Sequence, residues 1–174
     1  MATPSAKMLV LAGKDFAWVK IAGRANFAYG PDLKALLTGL ARKGYGHFII
    51  DLSECALMDS TLLGILAGFG LMMTQAATPE QRDIELLNPN SRIADLLENL
   101  GVLHLFKVTT GAFPLPNDIQ TQTSASLNPT REQITRTCLE AHRSLMAVNP
   151  DNVARFKEVT RFLAEDLKNL ENAP

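Results

Sequence analysis

Two consecutive apolar segments near the middle of the chain constrain its fold more than any other feature. The first, HFIIDL at 47–52, is short and continuously apolar, which is typical of a strand buried on both faces of a sheet. The second, LLGILAGFGLMM at 62–73, is too short to span a bilayer and contains three glycines, so it predicts a buried helix. A buried strand that leads through a short loop into a buried helix indicates a layered α/β fold.

Similar strand and helix patterns flank this central unit. Strands are predicted at 8–11, 16–22, 47–52, 83–87 and 103–108, the first two forming a hairpin. Helices are predicted at about 31–43, 61–75 and 89–100, with Pro31 at the first helical position and glycines at the ends of the first and third. This alternation predicts parallel strand pairs with right-handed crossovers in a compact unit that ends near residue 110.

The remainder of the chain changes character. Residues 111–129 are rich in Pro, Ser, Thr, Gln and Asn and predict a linker between a domain at 1–110 and a two-helix extension at 130–174. Thr130 and Gln133 form a capping-box pattern at the start of the first helix of the extension. The second helix carries an apolar stripe formed by Val153, Phe156, Val159, Leu163, Leu167 and Leu170. Such a stripe must pack on the chain's own core, on a second copy or on a partner.

Composition narrows the classes of partner. The net charge is -1, with 17 basic and 18 acidic side chains, and gives no electrostatic footprint for nucleic acid or an anionic membrane. Cys55 and Cys138 lie far apart and match no metal or disulfide pattern. The first seven residues lack a signal-peptide pattern. We therefore expect a cytoplasmic protein that binds neither nucleic acid nor membrane.

The start of the central helix carries the strongest functional signal. Asp59, Ser60 and Thr61 place a carboxylate and two hydroxyls at a helix N-terminus, which has unpaired N–H groups and a partial positive charge. A phosphate on Ser60 would be tolerated there and presented to a partner without a change of fold. The simpler alternative is that Asp59 or Ser60 only caps the helix.

At this point the sequence resembles the STAS domain family, of the anti-sigma-factor antagonist type. The family signature is an apolar strand ending in Asp-Leu, a short loop, and then Asp-Ser-(Ser/Thr)-Gly-Leu-Gly at a helix start. Its counterparts are IIDL at 49–52 and MDSTLLG at 58–64, followed by NP at 88–89 and LLENLG at 96–101. The resemblance covers about residues 5–110. It implies an α/β fold with a STAS-like mixed β-sheet and helices packed on one face, and the C-terminal helical extension lies outside the family pattern.

The resemblance also implies a function. In this family a serine kinase, often an anti-sigma factor, phosphorylates the serine after the aspartate, and a PP2C-type phosphatase removes the phosphate. Ser60 would then be the acceptor, with Thr61 as runner-up. The partner surface would comprise Asp59, Ser60, Thr61, Leu62 and Leu63. Leu62 replaces the first glycine of the signature. At a helix start that we expect to be exposed, this larger side chain would exclude a standard kinase or require a different one.

Alternatives to a phosphorylation switch remain open. The first is an adaptor of the same fold that is not phosphorylated and that dimerises or docks through its C-terminal helices. A hydrolase with a Ser60 nucleophile would need a nearby base, and the G-x-S-x-G elbow is absent around Ser60. Cys55 lacks the arginine that a phosphatase nucleophile needs at close range. We therefore expect a regulatory protein, not an enzyme, without a cofactor.

Two further features have simpler explanations. Asp51, Glu54 and Asp59 could be imagined as a metal site, but acidic side chains in one loop are usually solvated, so no metal is expected. The glycines at 64, 68 and 70 form no phosphate-binding fingerprint, and we expect them to let the helix approach the sheet closely.

Overall fold

The computed structural model describes residues 6–75, 82–115 and 121–174, so the first five residues and part of the predicted linker lie outside it. The strands are β1 (Lys7–Ala12), β2 (Phe16–Ala25), β3 (His47–Asp51), β4 (Cys55–Met58), β5 (Asp83–Leu87), β6 (Lys107–Thr109) and β7 (Gln122–Thr123). The helices are α1 (Gly30–Arg42), α2 (Ser60–Thr74), α3 (Ser91–Asn99), α4 (Arg131–Val148) and α5 (Asn152–Glu171).

The strands form one mixed sheet in the order β6-β5-β3-β2-β1-β7, with β4 paired separately to β2. The β1–β2 hairpin is antiparallel, whereas β2–β3, β3–β5 and β5–β6 are parallel. The predicted fold class is therefore confirmed, because each parallel pair is connected through a helix, as parallel pairing requires.

Alternation along the strands separates two apolar faces. On the helix-covered face, Val19, Phe48 and Ile50 belong to the main core with residues of α1, α2 and α3. On the opposite face, Trp18 and Ile49 join a smaller cluster. Strands that bury both faces read as continuously apolar, which explains the 47–52 pattern.

Three details of the predicted elements were wrong. The segment Cys55–Met58, predicted as loop, is the short strand β4. The last strand starts only at Lys107, because residues 103–105 form a single 3-10 turn. Helix α3 starts at Ser91 and not at the Asn88-Pro89 pair, since the Asn90 side chain accepts a hydrogen bond from the Ile93 N–H and caps the helix.

The segment predicted as a linker runs back along the domain. Phe113 and Leu115 pack on the Trp18 cluster, and β7 adds to the edge of the sheet beside β1. Farther along, the Asp32 carboxylate accepts hydrogen bonds from the Ser126 hydroxyl and the Leu127 N–H. These contacts fix the point from which α4 starts. None of the helices in the described ranges is long and apolar enough to cross a membrane.

Helix α4 packs along α2, and α5 packs on α4, so the extension covers the domain's own helical layer. The expected capping box at Thr130 and Gln133 is present. Of the three packing sites open for the tail, the structure shows the chain's own core for α4, whereas the apolar stripe of α5 is buried only in part: Leu167 is buried, but Val153 and Val159 are 41% and 42% exposed. The expectation that all three glycines of α2 face the sheet was wrong. A Cβ on Gly64 would lie 2.5 Å from the Ala141 carbonyl oxygen, and one on Gly68 would lie 2.7 Å from the Ser144 Oγ.

Candidate functional site at the start of α2

Asp59 is the residue that caps α2. Its backbone is extended, and its Oδ1 accepts a hydrogen bond from the Leu62 N–H at 3.0 Å. The other carboxylate oxygen, Oδ2, accepts from the Phe27 N–H at 2.6 Å. One carboxylate thus satisfies a free amide of the helix and ties the β2–α1 connection to the helix start.

Ser60 is the first residue of α2, and its hydroxyl does not cap the helix. The Ser60 Oγ lies 3.1 Å from Nε2 of His142, which is on α4 and 82 residues away in sequence. The Nδ1 atom of the same ring lies 2.7 Å from the Cys138 carbonyl oxygen, one turn earlier on α4. A carbonyl only accepts, so Nδ1 carries a proton, and in the neutral ring Nε2 then accepts from the Ser60 hydroxyl. The Ser60 side chain is half-buried.

His142 is held on its other side as well. The residue is 6% exposed, and its ring packs edge-to-face on Phe156 of α5 with the centroids 4.9 Å apart. Helix α5 therefore supports the ring that α4 directs at Ser60. This histidine was not singled out from the sequence, although Cys138 and His142 are four residues apart and share one helix face.

The next three predicted partner residues point inward. Thr61 is 4%, Leu62 1% and Leu63 0% exposed, so the expectation of an exposed Leu62 was wrong. The Thr61 hydroxyl lies 3.7 Å from the Cys138 Sγ, under α4. Burial raises the pKa of the Cys138 thiol. Of the five residues predicted for the partner surface, Asp59 and Ser60 are the two that are partly exposed.

Exposed residues surround these two. Phe27 is 52% exposed, although its N–H is bonded to Asp59. Ser53, Glu54 and Ala56, in and after the β3–β4 turn, are exposed too. An aromatic side chain exposed beside a polar helix start is a candidate partner contact. The signal in the sequence is weak, because a lone Phe in a connection usually packs into the core.

The Ser60–His142 pair also has the geometry that starts a hydrolase dyad. The cavity between α1, α2 and α4 has a volume of about 210 Å³ and is lined by Gly64 and Gly68 of α2 and Ser144 of α4, among others, and by neither member of the pair. In this pair the Ser60 hydroxyl is held between α2 and α4 by its hydrogen bond to His142. Within the described ranges, no group of three acidic, His or Cys side chains is arranged to hold a metal ion.

The fold and this site define a small α/β protein with a half-buried serine at the first residue of a central helix. The STAS domain family model matches residues 12–119, more than half of the chain. The chain therefore belongs to the STAS domain family, as the sequence motifs predicted.

Curated relatives connect the chain to one branch of this family. The anti-sigma-B factor antagonist of Staphylococcus aureus strain NCTC 8325 is 28% identical over 96 residues, covering 55% of this chain and 85% of the relative. The protein of the same name from Staphylococcus epidermidis is 27% identical over 97 residues, covering 56% and 86%. The chain thus resembles anti-sigma factor antagonists.

Among solved structures, the phosphorylated form of the Bacillus cell fate determinant SpoIIAA is similar with a TM-score of 0.50 and 16% identity, covering 62% of this chain and 92% of that protein. At this level of identity the similarity supports the fold alone.

Proposed function

We propose that this protein is a regulator of the anti-sigma factor antagonist type, whose contact with a partner serine kinase is switched by phosphorylation of Ser60. The observation that carries the proposal is the division of roles at the start of α2. Asp59 does the capping, which leaves the Ser60 hydroxyl at a partly exposed helix N-terminus with no capping role. The simpler alternative, that Asp59 or Ser60 only caps the helix, is met by Asp59, so the helix does not need Ser60 as its cap.

The proposed reaction transfers the terminal phosphoryl group of ATP to the Ser60 Oγ. The hydroxyl proton leaves, the Oγ–P bond forms, and ADP is released. The N–H groups and dipole of α2 favour the new negative charge, whereas the Asp59 carboxylate next to it repels the phosphate. The first effect makes the charge tolerable at this position, and the repulsion favours a phosphate that points away from Asp59, where a PP2C-type phosphatase can remove it.

In this proposal the unphosphorylated partner surface is formed by Asp59, Ser60, exposed Phe27 and the β3–β4 turn. Thr61, Leu62 and Leu63 support it from inside. A phosphate at its centre adds close to two negative charges next to Asp59, which opposes docking of a surface that had matched a neutral serine. The position of Phe27 suggests a partner with an apolar pocket near its active site.

The first experiment is phosphopeptide mass spectrometry on the protein purified from its own cells. Ser91 is a matched control, because it is the first residue of α3, is exposed, and follows a capping Asn90 as Ser60 follows Asp59. We expect phosphate on Ser60 and none on Ser91. Ser60→Asp should weaken binding to the purified cognate kinase by roughly tenfold or more, while Ser91→Asp should not. Absence of phosphate on Ser60 under several growth conditions would contradict the switch.

A second candidate is the unphosphorylated adaptor that forms a homodimer through its C-terminal helices. Phe162 and Val159, three residues apart on α5, are 61% and 42% exposed. Apolar side chains of this size on one helix face favour association. If the adaptor is correct, sedimentation at micromolar concentration shows a dimer and Phe162→Ser yields a monomer. A wild-type monomer with phosphorylated Ser60 excludes it.

A further inference from the structure

Helix α4 occupies one whole side of α2, starting at the proposed phosphorylation site. The contacts follow both helices in parallel, from Ser60 and His142, through Gly64 and Ala141, to Gly68 and Ser144. Because the two glycines lack side chains, the α4 backbone lies directly on α2. A partner that needs this side of α2 therefore competes with α4.

The interface is held differently from the sheet core. Near Ser60 it consists of small or polar groups, including the Ser60–His142 hydrogen bond and the weak Thr61–Cys138 contact, whereas Leu145 farther along α4 belongs to the main core. The cavity of about 210 Å³ between α1, α2 and α4 leaves part of it unfilled. Surfaces that bury few large apolar side chains open at lower free energy than a close-packed core.

Helix α4 is held along its length: the segment before it by the Asp32 contacts, its middle by the Lys34–Glu140 ion pair, and its far end by buried hydrogen bonds. Asn152, fully buried at the α4–α5 corner, donates hydrogen bonds to the carbonyl oxygens of Leu100 and Leu145, each at 2.9 Å. The Asn149 side chain also donates to the Leu100 oxygen. This corner joins the end of α3 to both C-terminal helices, so an opening motion that keeps these bonds pivots about it.

We propose that α4 and α5, called the C-terminal hairpin (residues 131–171), form a cover that closes over the side of α2 running from Ser60 to Gly68, with the Ser60–His142 hydrogen bond as its latch. The regulatory meaning of the cover rests on the proposed function, but its opening does not. Phosphorylation replaces the hydroxyl proton of Ser60 with phosphorus. The hydrogen bond that the Ser60 hydroxyl donates to Nε2 of His142 is then lost.

The two native cysteines allow a direct test. Cys138 lies at the interface between α4 and α2, whereas Cys55 lies in β4 within the main core. Both are buried, and burial raises the pKa of Cys55 to about 11. Each thiol therefore reacts with N-ethylmaleimide only after an opening that exposes it. Peptide mass spectrometry on the purified full chain measures the two rates separately.

If the cover opens independently of the core, Cys138 reacts roughly tenfold or more faster than Cys55, each rate being corrected for the reactivity of that thiol in denaturant. Ser60→Ala should raise the reaction rate of Cys138 roughly fivefold, which corresponds to the loss of one hydrogen bond, and should leave the reaction rate of Cys55 unchanged. Ser144→Ala is the matched control, since that hydroxyl on α4 bonds only within its own helix, to the Glu140 carbonyl.

A reversible disulfide between α2 and α4 should have the opposite effect and keep the cover closed. A Cβ on Gly68 would lie 3.3 Å from the Ser144 Cβ, close to the spacing across a disulfide. In the Gly68→Cys, Ser144→Cys variant, oxidation should slow Cys138 to the rate of Cys55, and the reduced form is the control. Equal rates for both cysteines in the wild type would overturn the cover. An unchanged Cys138 rate in Ser60→Ala would overturn the latch. Neither result depends on a kinase, so failure of the cover is distinguishable from failure of the phosphorylation switch.

Discussion

Helices α4 and α5 have similar lengths and comparable apolar patterns, yet the structure uses them in opposite ways. Helix α4 buries seven residues against its neighbours, and only two of them, Leu139 and Leu145, are large aliphatic side chains. Helix α5 buries three and leaves Val159 and Phe162 in solvent. Of the two, the helix with the larger apolar side chains is the less buried.

This difference shows that the surface on which a helix packs determines how much of the helix is buried. Helix α2 presents Gly64 and Gly68 to α4, and such a surface accepts a backbone at close range together with small side chains such as Ala141. Beyond its first turns, helix α5 meets mainly the outer side of α4, where exposed ion pairs such as Arg131–Asp166 flank the contact. Half of its circumference therefore faces solvent, whatever residues it carries.

Truncation of one apolar residue in each helix gives the largest expected contrast. Leu145 of α4 is fully buried, so Leu145→Ala should lower the free energy of unfolding by about 2–5 kcal/mol through lost burial and a cavity. Phe162→Ala on α5 should change it by only about 0.5 kcal/mol, because the ring is already largely hydrated. Urea unfolding followed by circular dichroism measures both. A cost of several kcal/mol for Phe162→Ala would show that α5 is covered in solution, for instance by a second copy.

The glycines of α2 offer the next contrast. Gly64→Ala places a methyl group 2.5 Å from the Ala141 carbonyl oxygen and should destabilise the protein by about 1–3 kcal/mol, since α4 must move away. Gly39→Ala is the matched control, because a Cβ in that part of α1 meets nothing within 4 Å. It should stabilise by up to about 1 kcal/mol through helix propensity. Equal effects of the two substitutions would mean that α4 does not rest on α2.

The core of the fold was predictable because its signals are local. The β1–β2 hairpin and the apolar strand at 47–52 follow from periodicity, and the glycine-ended helices from their stop residues. Strand β4 was missed because four residues between a turn and a helix carry too short a pattern to distinguish from a loop. The packing of the extension could not be predicted, because an amphipathic pattern shows that a helix needs an apolar contact but does not identify the surface that provides it.

The same limit applies to the site. Asp59 and Ser60 were predictable from the composition of a helix start. The position of His142 beside Ser60 was not, because it depends on how α4 docks across a gap of 82 residues. The burial of Leu62 follows from the rotation of α2 about its axis, and a helix that is apolar on nearly all sides has no polar face from which that rotation could be inferred.

The smallest expected effect is a difference in acid sensitivity between an ion pair in the sheet and the ion pairs of the C-terminal hairpin. Burial acts to raise the pKa of Asp83 on β5, but contacts with His47 and Lys107 outweigh it and hold that pKa below its usual value. A carboxyl group with a lowered pKa in the folded state stabilises the protein above its unfolded pKa, near ~4. That contribution is lost as the pH falls through the folded value. Asp83→Asn should therefore reduce the loss of stability on acidification below about pH 4.

The control for this prediction is Asp15→Asn, which removes an exposed carboxylate from the β1–β2 turn. Its acid dependence should match that of the wild type. The hairpin's own pairs, Arg131 with Asp166 and Arg136 with Glu171, join partly exposed side chains, so salt screens them and their contribution is small. Urea midpoints measured at pH 7 and below pH 4 test this assignment. If Arg131→Ala flattened the acid dependence of stability as strongly as Asp83→Asn, the ion pairs between α4 and α5 would hold the C-terminal hairpin together. Its position would then depend on charge as well as on the glycines of α2.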